Sequence, residues 1–500
     1  MWGQPLLRGV RRARGTAGVL VILLSACATR PPQVLTPALV PQRFAGAAAT
    51  AMPPPAARAA ATTAAAAPVW PRAGWWREFG SPELSSLINS AQADNRDLAA
   101  AAARLREARA EVTIQRAALF PQVNLQADAI RAGKGVSALE TGGQQLSTGN
   151  SFGLNLDATY EVDVWGLSRD NLRSATEALK SSRFARQVTA LTVTAAVADD
   201  YFGVLALREQ IAIAQEDLTA INSILGTIRL KVSAGTASHL DLAQEEAQVE
   251  SVEAELPVLK EQELETRVGL AVLLGRPPEA FDVHALNTDS VRLPDVTAGL
   301  PSQLLLRRPD VAEAEANLAA AHANLQAARA AFLPQIALSG SDGFGSAAVN
   351  TLLHGPSTFW DAGAQLVQTI FAGGKLVGQK DLVYATQQEL VADYQSAVLN
   401  AYADVESGLG QVANYAREED HLRREVDAAR EAFGISQLQY RQGVADLLNV
   451  LQAQQTLFQA RDELAQAKLA RLQALVHLYE ALGGGWQEPP RDRTQFLAEK

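Results

Sequence analysis

Few residues of this 500-residue chain are of the types that carry out covalent chemistry, and their spacing does not suit catalysis. The sequence has one cysteine and six histidines, and it contains neither an H-E-x-x-H nor a C-x-x-C pattern. It has no Walker P-loop, and the string GFGSAA at 343–348 resembles a dinucleotide fingerprint without the helix and acidic residue that such a site needs. Scattered histidines build no metal site. We therefore expect no enzyme, no cofactor and no metal.

The single cysteine lies where lipid could be attached. Four arginines precede an apolar run from Gly15 to Ala26, which is too short to span a bilayer as a permanent helix. The run ends in Leu-Ser-Ala-Cys, which resembles a bacterial lipobox, in which the cysteine is acylated and becomes the first mature residue. We predict a signal peptide over residues 1–26 and a lipid anchor on Cys27. A chance cysteine after an apolar run is the alternative.

Charge and composition narrow the function of the exported chain. Removal of residues 1–26 deletes four arginines and no acidic residue, so the formal charge moves from −10 to −14. No basic cluster remains, which argues against a nucleic-acid partner. Residues 27–74 are rich in Ala, Pro and Thr and are predicted to be a lipidated linker. No other stretch approaches the roughly 18 consecutive apolar residues of a membrane-spanning helix.

The rest of the chain repeats itself. The string RAALFPQ begins at Arg116, and RAAFLPQ begins at Arg329, 213 residues later. A period of about 210 residues is too long for a solenoid repeat. We predict two related repeats at 75–290 and 291–486, followed by a polar tail at 487–500. Flanking segments match in the same order: 95–112 with 308–325, 230–244 with 438–452, and 271–275 with 479–483.

Both repeats predict the same elements. An Ala-rich helical segment, 82–118 or 302–331, is stopped by Pro121 or Pro334, because proline disfavours the α conformation in the residue before it. Two segments of period-two alternation follow, clearest in SFGLNLDATYEVDVW and weaker in the second repeat. Long helices then run to a glycine turn and return, at 171–233 and 239–274 and again at 376–442 and 446–482.

The alternating strands have one apolar and one polar face, which suits a membrane barrel with lipid outside and water inside. Strands of about ten residues are long enough to cross a bilayer. Four strands cannot close a barrel, since small barrels need about eight, and an open edge in lipid leaves backbone groups unpaired. We therefore expect several chains to share one barrel, and three duplicated chains would supply twelve strands.

The organisation resembles the outer-membrane efflux protein family of TolC-like ducts, most closely its lipidated NodT/OprM-type branch. The resemblance implies a mainly α chain with a membrane β-barrel, in which a homotrimer forms a twelve-strand barrel continued by a long α-helical barrel. It also implies a lipid-anchored outer-membrane location in a Gram-negative bacterium, with a periplasmic adaptor (membrane fusion protein) and an inner-membrane efflux pump as partners. The strings that carry it, in order, are WWREFGSPEL, the two RAA..PQ joints, LLLRRPDV, FAGGK, YRQGVADLLNVLQAQ and LYEALGGGW.

The resemblance implies a function as well. A duct of this family passively conducts drugs or other small solutes from the pump to the exterior. The nearest alternative is a TolC-like duct for type I secretion of proteins or peptides. A lipid-anchored coiled-coil scaffold without a pore is a further alternative, against which the alternating strands argue.

The resemblance also places candidate residues at the periplasmic tips, where the family closes its ducts, often with rings of aspartates. Carried over by position, the string LLNVLQ has Asn449 and Gln452 where acidic residues are frequent. The acidic candidates for a constriction are therefore Asp241 and Asp446. An ordinary aspartate at a helix start is the alternative interpretation of Asp241.

Four further positions mark the ends of the predicted elements. Gly235 and Gly443 are the expected hairpin tips, where an adaptor would make contact. Pro121 and Pro334 are the expected joints between tunnel helix and barrel strand. Aromatic residues near the strand ends suit either a membrane-interface belt or packing at these joints: Trp165, Phe359, Trp360 and Phe371.

Overall fold

A computed structural model describes Phe44 and residues 70–132, 149–294, 296 and 301–486. The predicted signal peptide, Cys27, most of the linker and the polar tail lie outside the described residues. In chain order the main elements are α1 (Pro82–Asp94), α2 (Arg96–Ala117), β1 (Gln122–Ala132), β2 (Gly149–Val162), α3 (Leu167–Ser233), α4 (His239–Leu273), α5 (Pro309–Ala330), β3 (Gln335–Ser346), β4 (Thr358–Val367), α6 (Lys375–Arg441) and α7 (Leu447–Ala481).

The four strands form one antiparallel sheet in the order β1-β2-β3-β4. A polar row crosses the sheet, because Asp157 lies between Asn124 and Ser341, and Ser341 lies opposite Asp361. The neighbouring row is apolar except for Asp342, and its other members are Leu125, Leu156 and Trp360. The predicted two-faced strands are thus present in both repeats, and the weaker alternation of the second repeat includes an acidic residue on the apolar face.

The last strand is shorter than the sequence pattern predicts. The alternation extends to Phe371, but β4 ends at Val367. The chain leaves the sheet at Gln368, whose side-chain amide donates a hydrogen bond to the Phe332 carbonyl at 3.0 Å. A polar contact at the joint therefore ends the strand before its apolar pattern ends.

The helices form two long hairpins. Helices α3 and α6 have 67 residues each, so each reaches about 100 Å at 1.5 Å per residue. The return helices α4 and α7 have 35 residues each. Near the barrel the adjacent helices are α2, α3, α5 and α6, and near the turns they are α4, α3, α7 and α6. At both levels the chain therefore contributes four neighbouring helices.

The Ala-rich segments are not continuous helices, contrary to the prediction. The segment 82–118 breaks at Asn95, whose backbone is extended and whose side chain caps α2 by accepting hydrogen bonds from two N–H groups, those of Asp97 and Leu98. The segment 302–331 starts in a short helix, Pro301–Leu304, and α5 begins only at Pro309, because the proline holds Arg308 in an extended conformation. Local capping and a proline interrupt what helix propensity alone would continue.

The duplication is visible in one backbone contact. Gly275 and Gly483 each follow a return helix and have positive φ, 67° and 84°. A Cβ at Gly275 would collide with the carbonyl oxygen of Asp94, and one at Gly483 with that of Arg307. Both repeats thus require glycine where the end of a hairpin meets the segment before the barrel-directed helix.

An aromatic core joins the start of the described chain to its end. Trp75 stacks on Tyr479 of α7 with ring centroids 4.8 Å apart, and Phe79 packs against Phe202 of α3 at 5.1 Å. All four side chains are at most 2% exposed. This cluster fixes the bases of the two hairpins to each other.

Helix α3 contains one stretch that is long and apolar enough to cross a membrane, which the sequence analysis did not anticipate. In that stretch 61% of the residues are buried inside the chain. A helix that is apolar on most sides is typical of a protein core as well as of a membrane. Packing against α2, α4, α5 and α7 accounts for its composition.

Candidate functional site

The two helical hairpins end in turns of the same design. After each long helix one residue keeps the α conformation, and a glycine with positive φ follows, at 77° for Gly235 and 73° for Gly443. Each glycine N–H donates to a carbonyl of the last helical turn, that of Val232 at 2.9 Å or Tyr440 at 3.1 Å. A Cβ at either glycine would meet nothing within 4 Å, so only the left-handed backbone demands glycine. Both turns are exposed.

The first return helix begins with a reciprocal pair of hydrogen bonds. The Asp241 N–H donates to Ser238 Oγ at 3.1 Å, and the Ser238 N–H donates to Asp241 Oδ2 at 3.0 Å. Such a capping box satisfies two N–H groups that the helix itself leaves free. Asp241 therefore has a structural role, as the alternative interpretation supposes, while its negative charge remains at the tip.

The second return helix begins differently. Asp446 occupies the capping position, but its side chain makes no capping bond. Its backbone carbonyl accepts a hydrogen bond from the Asn449 N–H at 3.2 Å. Asp446, Asn449 and Gln452 are all exposed. The carboxylate of Asp446 is thus free of the capping role that Asp241 has.

The two turns enclose a groove of about 440 Å³, here called the tip groove. It brings together Asp241, Asp446 and Gly443, while the Lys231 ammonium lies 3.8 Å from the centroid of the Tyr440 ring. A cation over an aromatic face is attracted to the ring electrons. The lining residues are Lys231, Thr236, Ala237, Leu240, Asp241, Gln244, Tyr440, Gly443, Ala445, Asp446, Leu447 and Leu448.

The remaining tip candidates lie outside the tip groove. Gly235, Asn449 and Gln452 are not among its lining residues. Each is exposed on its own hairpin. The structure therefore brings one aspartate from each repeat to a common surface and leaves the two amide side chains apart from it.

Behind the tips, polar side chains tie α3 to α7. Arg461 binds Glu216 at 2.5 Å and lies 3.5 Å from Asp217, and Gln210 donates to Asp462 at 2.6 Å. Burial raises the pKa of Asp217 to about 7, although the nearby arginine acts in the opposite direction. The sequence analysis missed this seam, because its members are more than 240 residues apart and no local pattern pairs them.

A further link lies nearer the base of the hairpins. Lys468 of α7 binds Glu209 of α3 at 2.8 Å and Asp289 at 3.3 Å. With Lys231 on Tyr440 and Arg461 on Glu216, the two hairpins are joined at three levels. Charged side chains thus join α3 to the second hairpin from the tips to the base.

The proline joints lie between helix and strand. Pro121 directly precedes β1, and Pro334 directly precedes β3. The indole Nε1–H of Trp165 donates to the Pro334 carbonyl at 2.7 Å. For Trp165 this contact favours packing at the joint over the membrane-interface interpretation.

The polar groups of these regions can attract ions and bind partners. Among the described residues, no group of three or more His, Cys, Asp or Glu side chains could hold a metal ion. The carboxylates of Asp241 and Asp446 line the tip groove and give it a negative charge that favours cations.

Comparison with known proteins gives one consistent family. The family model described as "Outer membrane efflux protein" matches residues 87–276 and 300–484. The pyoverdine export outer membrane protein OpmQ of Pseudomonas aeruginosa is 41% identical over 430 residues, which is 85% of this chain and 89% of that protein. The toluene efflux pump outer membrane protein TtgC of Pseudomonas putida is 33% identical over 422 residues, covering 84% of this chain and 87% of that one.

Solved structures agree with the sequence comparisons. The outer-membrane channel OprN superposes with a TM-score of 0.82 at 26% identity, covering 92% of this chain and all of that one. The open state of the Neisseria gonorrhoeae MtrE outer membrane channel gives a TM-score of 0.79 at 28% identity, covering 92% of this chain and 99% of that one. The chain therefore belongs to the outer membrane efflux protein family, and it is an outer-membrane channel of an efflux system with a duplicated, TolC-like fold.

Proposed function

We propose that three copies of this chain close one continuous duct, a twelve-strand barrel in the outer membrane continued by a helical tunnel in the periplasm. The duct passively conducts small solutes that an inner-membrane pump delivers through a periplasmic adaptor. The proposal rests on the four-stranded sheet, whose two outer strands each have one edge without a partner among the described residues.

The sheet requires further copies of the chain. Within the described residues β1 pairs only with β2, and β4 pairs only with β3. In lipid every unpaired N–H or C=O group costs several kcal/mol, so membrane sheets close into barrels. Pairing β4 of one copy with β1 of the next closes a ring of twelve strands in a trimer, which is within the range of membrane barrels.

The helices leave matching edges near the turns. Helices α4 and α6 are the outer members of the row α4, α3, α7, α6. Both carry large apolar side chains that are exposed in the single chain, and a neighbouring copy would cover them. On α4 these are Leu240, Val258, Leu264 and Val272, and on α6 they include Leu399, Ile435 and Leu438.

The tips form the periplasmic entrance. Threefold assembly brings three copies of Asp241 and three of Asp446 around one axis, where like charges favour cations and narrow the passage. The exposed turns at Gly235 and Gly443, six in the trimer, are the surface for the adaptor. Asn449 and Gln452 then supply polar but uncharged lining.

The molecules that the duct conducts are small solutes. Relatives are named for export of pyoverdine, efflux of toluene and efflux of cations, three chemically unlike classes carried by proteins of one fold. A duct that serves such different cargo is permissive, and selection rests with the pump. Cys27, acylated, would hold the linker to the outer membrane, since a lipid chain adds about 0.8 kcal/mol per buried methylene.

The test is assembly followed by conduction. We expect native mass spectrometry of the detergent-purified protein to give the mass of three lipidated chains. The same preparation should form cation-preferring channels in planar bilayers. A single chain, or a trimer that remains in the soluble fraction, contradicts the proposal.

Substitutions of the tip aspartates test the proposed constriction. Asp446→Asn removes a charge without touching a capping bond, so conductance or anion permeability should rise while the fold is unchanged. Asp241→Asn keeps an oxygen that can accept the Ser238 N–H. The doubly substituted chain should show the largest loss of cation preference. Asp427→Asn, an exposed aspartate on α6 away from the tips, is the matched control.

A further inference from the structure

Two buried polar side chains lie behind the tips at the same depth, and neither has a partner in the described structure. Glu245 of α4 is 0% exposed, and both of its carboxyl oxygens lack a hydrogen bond. Gln454 of α7 is 2% exposed, and neither its amide oxygen nor its nitrogen is bonded. Each lies about 10 Å from the start of its helix at 1.5 Å per residue. We call this pair the polar layer.

The polar layer interrupts packing that is otherwise apolar. Leu242 and Val249, one turn before and after Glu245, pack with Ile221 and Leu225 of α3. Leucine, valine and alanine side chains close the seam around Gln454 in the same way, namely Val450, Leu457 and Ala460. Burial of a polar group without a partner is unfavourable, so the closed packing is destabilised at this depth.

No charged group faces Glu245 from the helices packed against it. Helix α3 has no charged residue between Asp217 and Arg229, and α7 has none between Asp446 and Arg461. Most charged residues near this depth have other contacts: Arg229 with Glu246 at 3.0 Å, Lys231 with Tyr440, Asp241 with Ser238, and Arg461 with Glu216 and Asp217. His239, Glu250 and Asp446 are exposed.

This surrounding determines how Glu245 responds to pH. Burial raises the pKa of Glu245 from 4.5 to about 7. A carboxyl group whose pKa is raised by folding supports the packed state while it is neutral and opposes it once ionised. Its contribution to the packing of α4 is therefore complete below about pH 4.5 and is lost as the pH rises through about 7.

We propose that the polar layer is the hinge of a second, opened state of the tips, in which α4 separates from α3 and α7 and both side chains gain water or each other as partners. The closed state keeps the apolar contacts and leaves two polar groups unbonded. In the opened state the two polar groups are bonded and the apolar contacts are lost. Ionisation of Glu245 favours the opened state, so the entrance loosens when the periplasm becomes alkaline. The inference rests on the proposed function only in taking the tips as the entrance.

The experiment measures the distance between the tips directly. Spin labels are attached to Ala234→Cys and Gln442→Cys, which lie at the matching exposed turn positions, and distances are read by pulsed electron paramagnetic resonance at pH 6 and pH 8. The ratio of opened to closed tips should rise by up to about tenfold per pH unit between pH 4.5 and about 7, and level off above that. The population with longer distances should therefore be larger at pH 8 than at pH 6. A chain without introduced cysteines gives the background.

Glu245→Gln removes the ionisation and keeps the shape of the side chain, so the distances should become independent of pH. The matched control is Glu250→Gln, an exposed glutamate of the same helix, which should behave as the parent does. The proposal fails if Glu245→Gln retains the pH response or if the parent shows none.

The second half of the layer is tested with an apolar replacement. Gln454→Leu removes the unbonded amide and should raise the midpoint of thermal unfolding and reduce the longer-distance population at pH 8. Gln455→Leu, its exposed neighbour, should change neither. A loss of stability in Gln454→Leu with an unchanged distance distribution overturns the hinge. Because distances are read whether or not the trimer conducts, an inactive duct and an absent hinge give different results.

Discussion

In the first repeat the helix that leads to the barrel begins after Asn95, whereas in the second it begins after Arg308. The Asn95 amide nitrogen donates to the Leu273 carbonyl at 2.8 Å, at the end of its hairpin. Arg308 donates to the matching carbonyl of Ala481 at 3.2 Å and also binds two carboxylates, those of Asp310 at 2.7 Å and Asp404 at 2.9 Å. The acceptor is the same, and the donor has changed from neutral to charged.

At the tips it is the first repeat that has the additional side-chain bonds. The first return helix has a capping box at Ser238 and Asp241, while the second begins at Asp446 without a side-chain capping bond. Contacts made by backbone, such as Gly275 and Gly483 against a carbonyl, are alike in both repeats. The close backbone contacts are thus the same in both repeats, whereas the side chains that reinforce them differ.

The largest effect is expected where the repeats agree. Gly483→Ala places a Cβ against the Arg307 carbonyl in a left-handed backbone, and Gly275→Ala does the same against Asp94. Strain of this kind costs about 1–3 kcal/mol before the collision is added. We expect both variants to lose several degrees of thermal midpoint or to fail to assemble.

The matched control for these glycines is Gly226→Ala, two turns before the end of α3, where a Cβ meets nothing within 4 Å. Alanine is favoured over glycine inside a helix by about 1 kcal/mol, so this variant should be neutral or more stable. If Gly275→Ala and Gly226→Ala unfold at the same temperature, the shared backbone contact is not what holds the repeats together.

The next largest effect distinguishes the two helix starts, at Asn95 and at Arg308. Arg308→Ala removes a largely buried donor from Asp310 and Asp404, which are a third and a half exposed, and from the Ala481 carbonyl, a loss of about 2–3 kcal/mol. Asn95→Ala removes a helix cap and one further bond, a loss of about 1–2 kcal/mol. Denaturant unfolding of both variants should rank Arg308→Ala as the less stable. Equal losses would mean that the charged donor adds nothing.

The order of the elements could be predicted because it depends on local signals. Period-two alternation around Leu154 and Leu156, the absence of proline along α3, and glycine at the turns each appear within a short window. The interruptions were missed for the same reason. A cap at Asn95 competes with strong helix propensity nearby, and β4 ends at a contact between Gln368 and Phe332 that lies outside any window.

The candidate site was predictable only at the level of single residues. The turn glycines and the aspartates of the tip groove stand out by type and position. Their surroundings do not, because Lys231 meets Tyr440, and Arg461 meets Glu216, only after two hairpins have packed. Burial of Asp217 and Glu245 likewise depends on which helix face meets another, and acidic residues in a polar-looking helix give no sign of it.

A smaller effect is expected at the tips. Ser238→Ala removes one half of the capping box and should cost about 1 kcal/mol. Asp446→Ala, at the start of the other return helix, should cost less, because no side-chain capping bond is lost. Hydrogen exchange at the first turns of α4 and α7 measures the two effects separately. Faster exchange in α7 than in α4 would contradict the difference drawn between the two caps.

The smallest effect compares one position of the two long helices. Asp217 of α3 is buried, with Arg461 lowering its pKa and Glu216, Glu255 and Asp462 raising it, whereas Glu425 at the matching position of α6 is exposed. Because burial raises the pKa of Asp217 to about 7, its support for the seam is lost as the pH rises through that value.

Asp217→Asn should therefore flatten the fall in thermal midpoint between pH 6 and pH 8, and Glu425→Gln should leave the fall unchanged. The part that remains in Asp217→Asn belongs to the other carboxyl groups of the first hairpin whose pKa burial raises, namely Glu245, Asp199 and Asp200. Substituting Glu245 as well should reduce the fall further. If the double variant keeps the full pH dependence, Asp217 and Glu245 are not its source, and the difference between the repeats would lie in their contacts rather than in their charge.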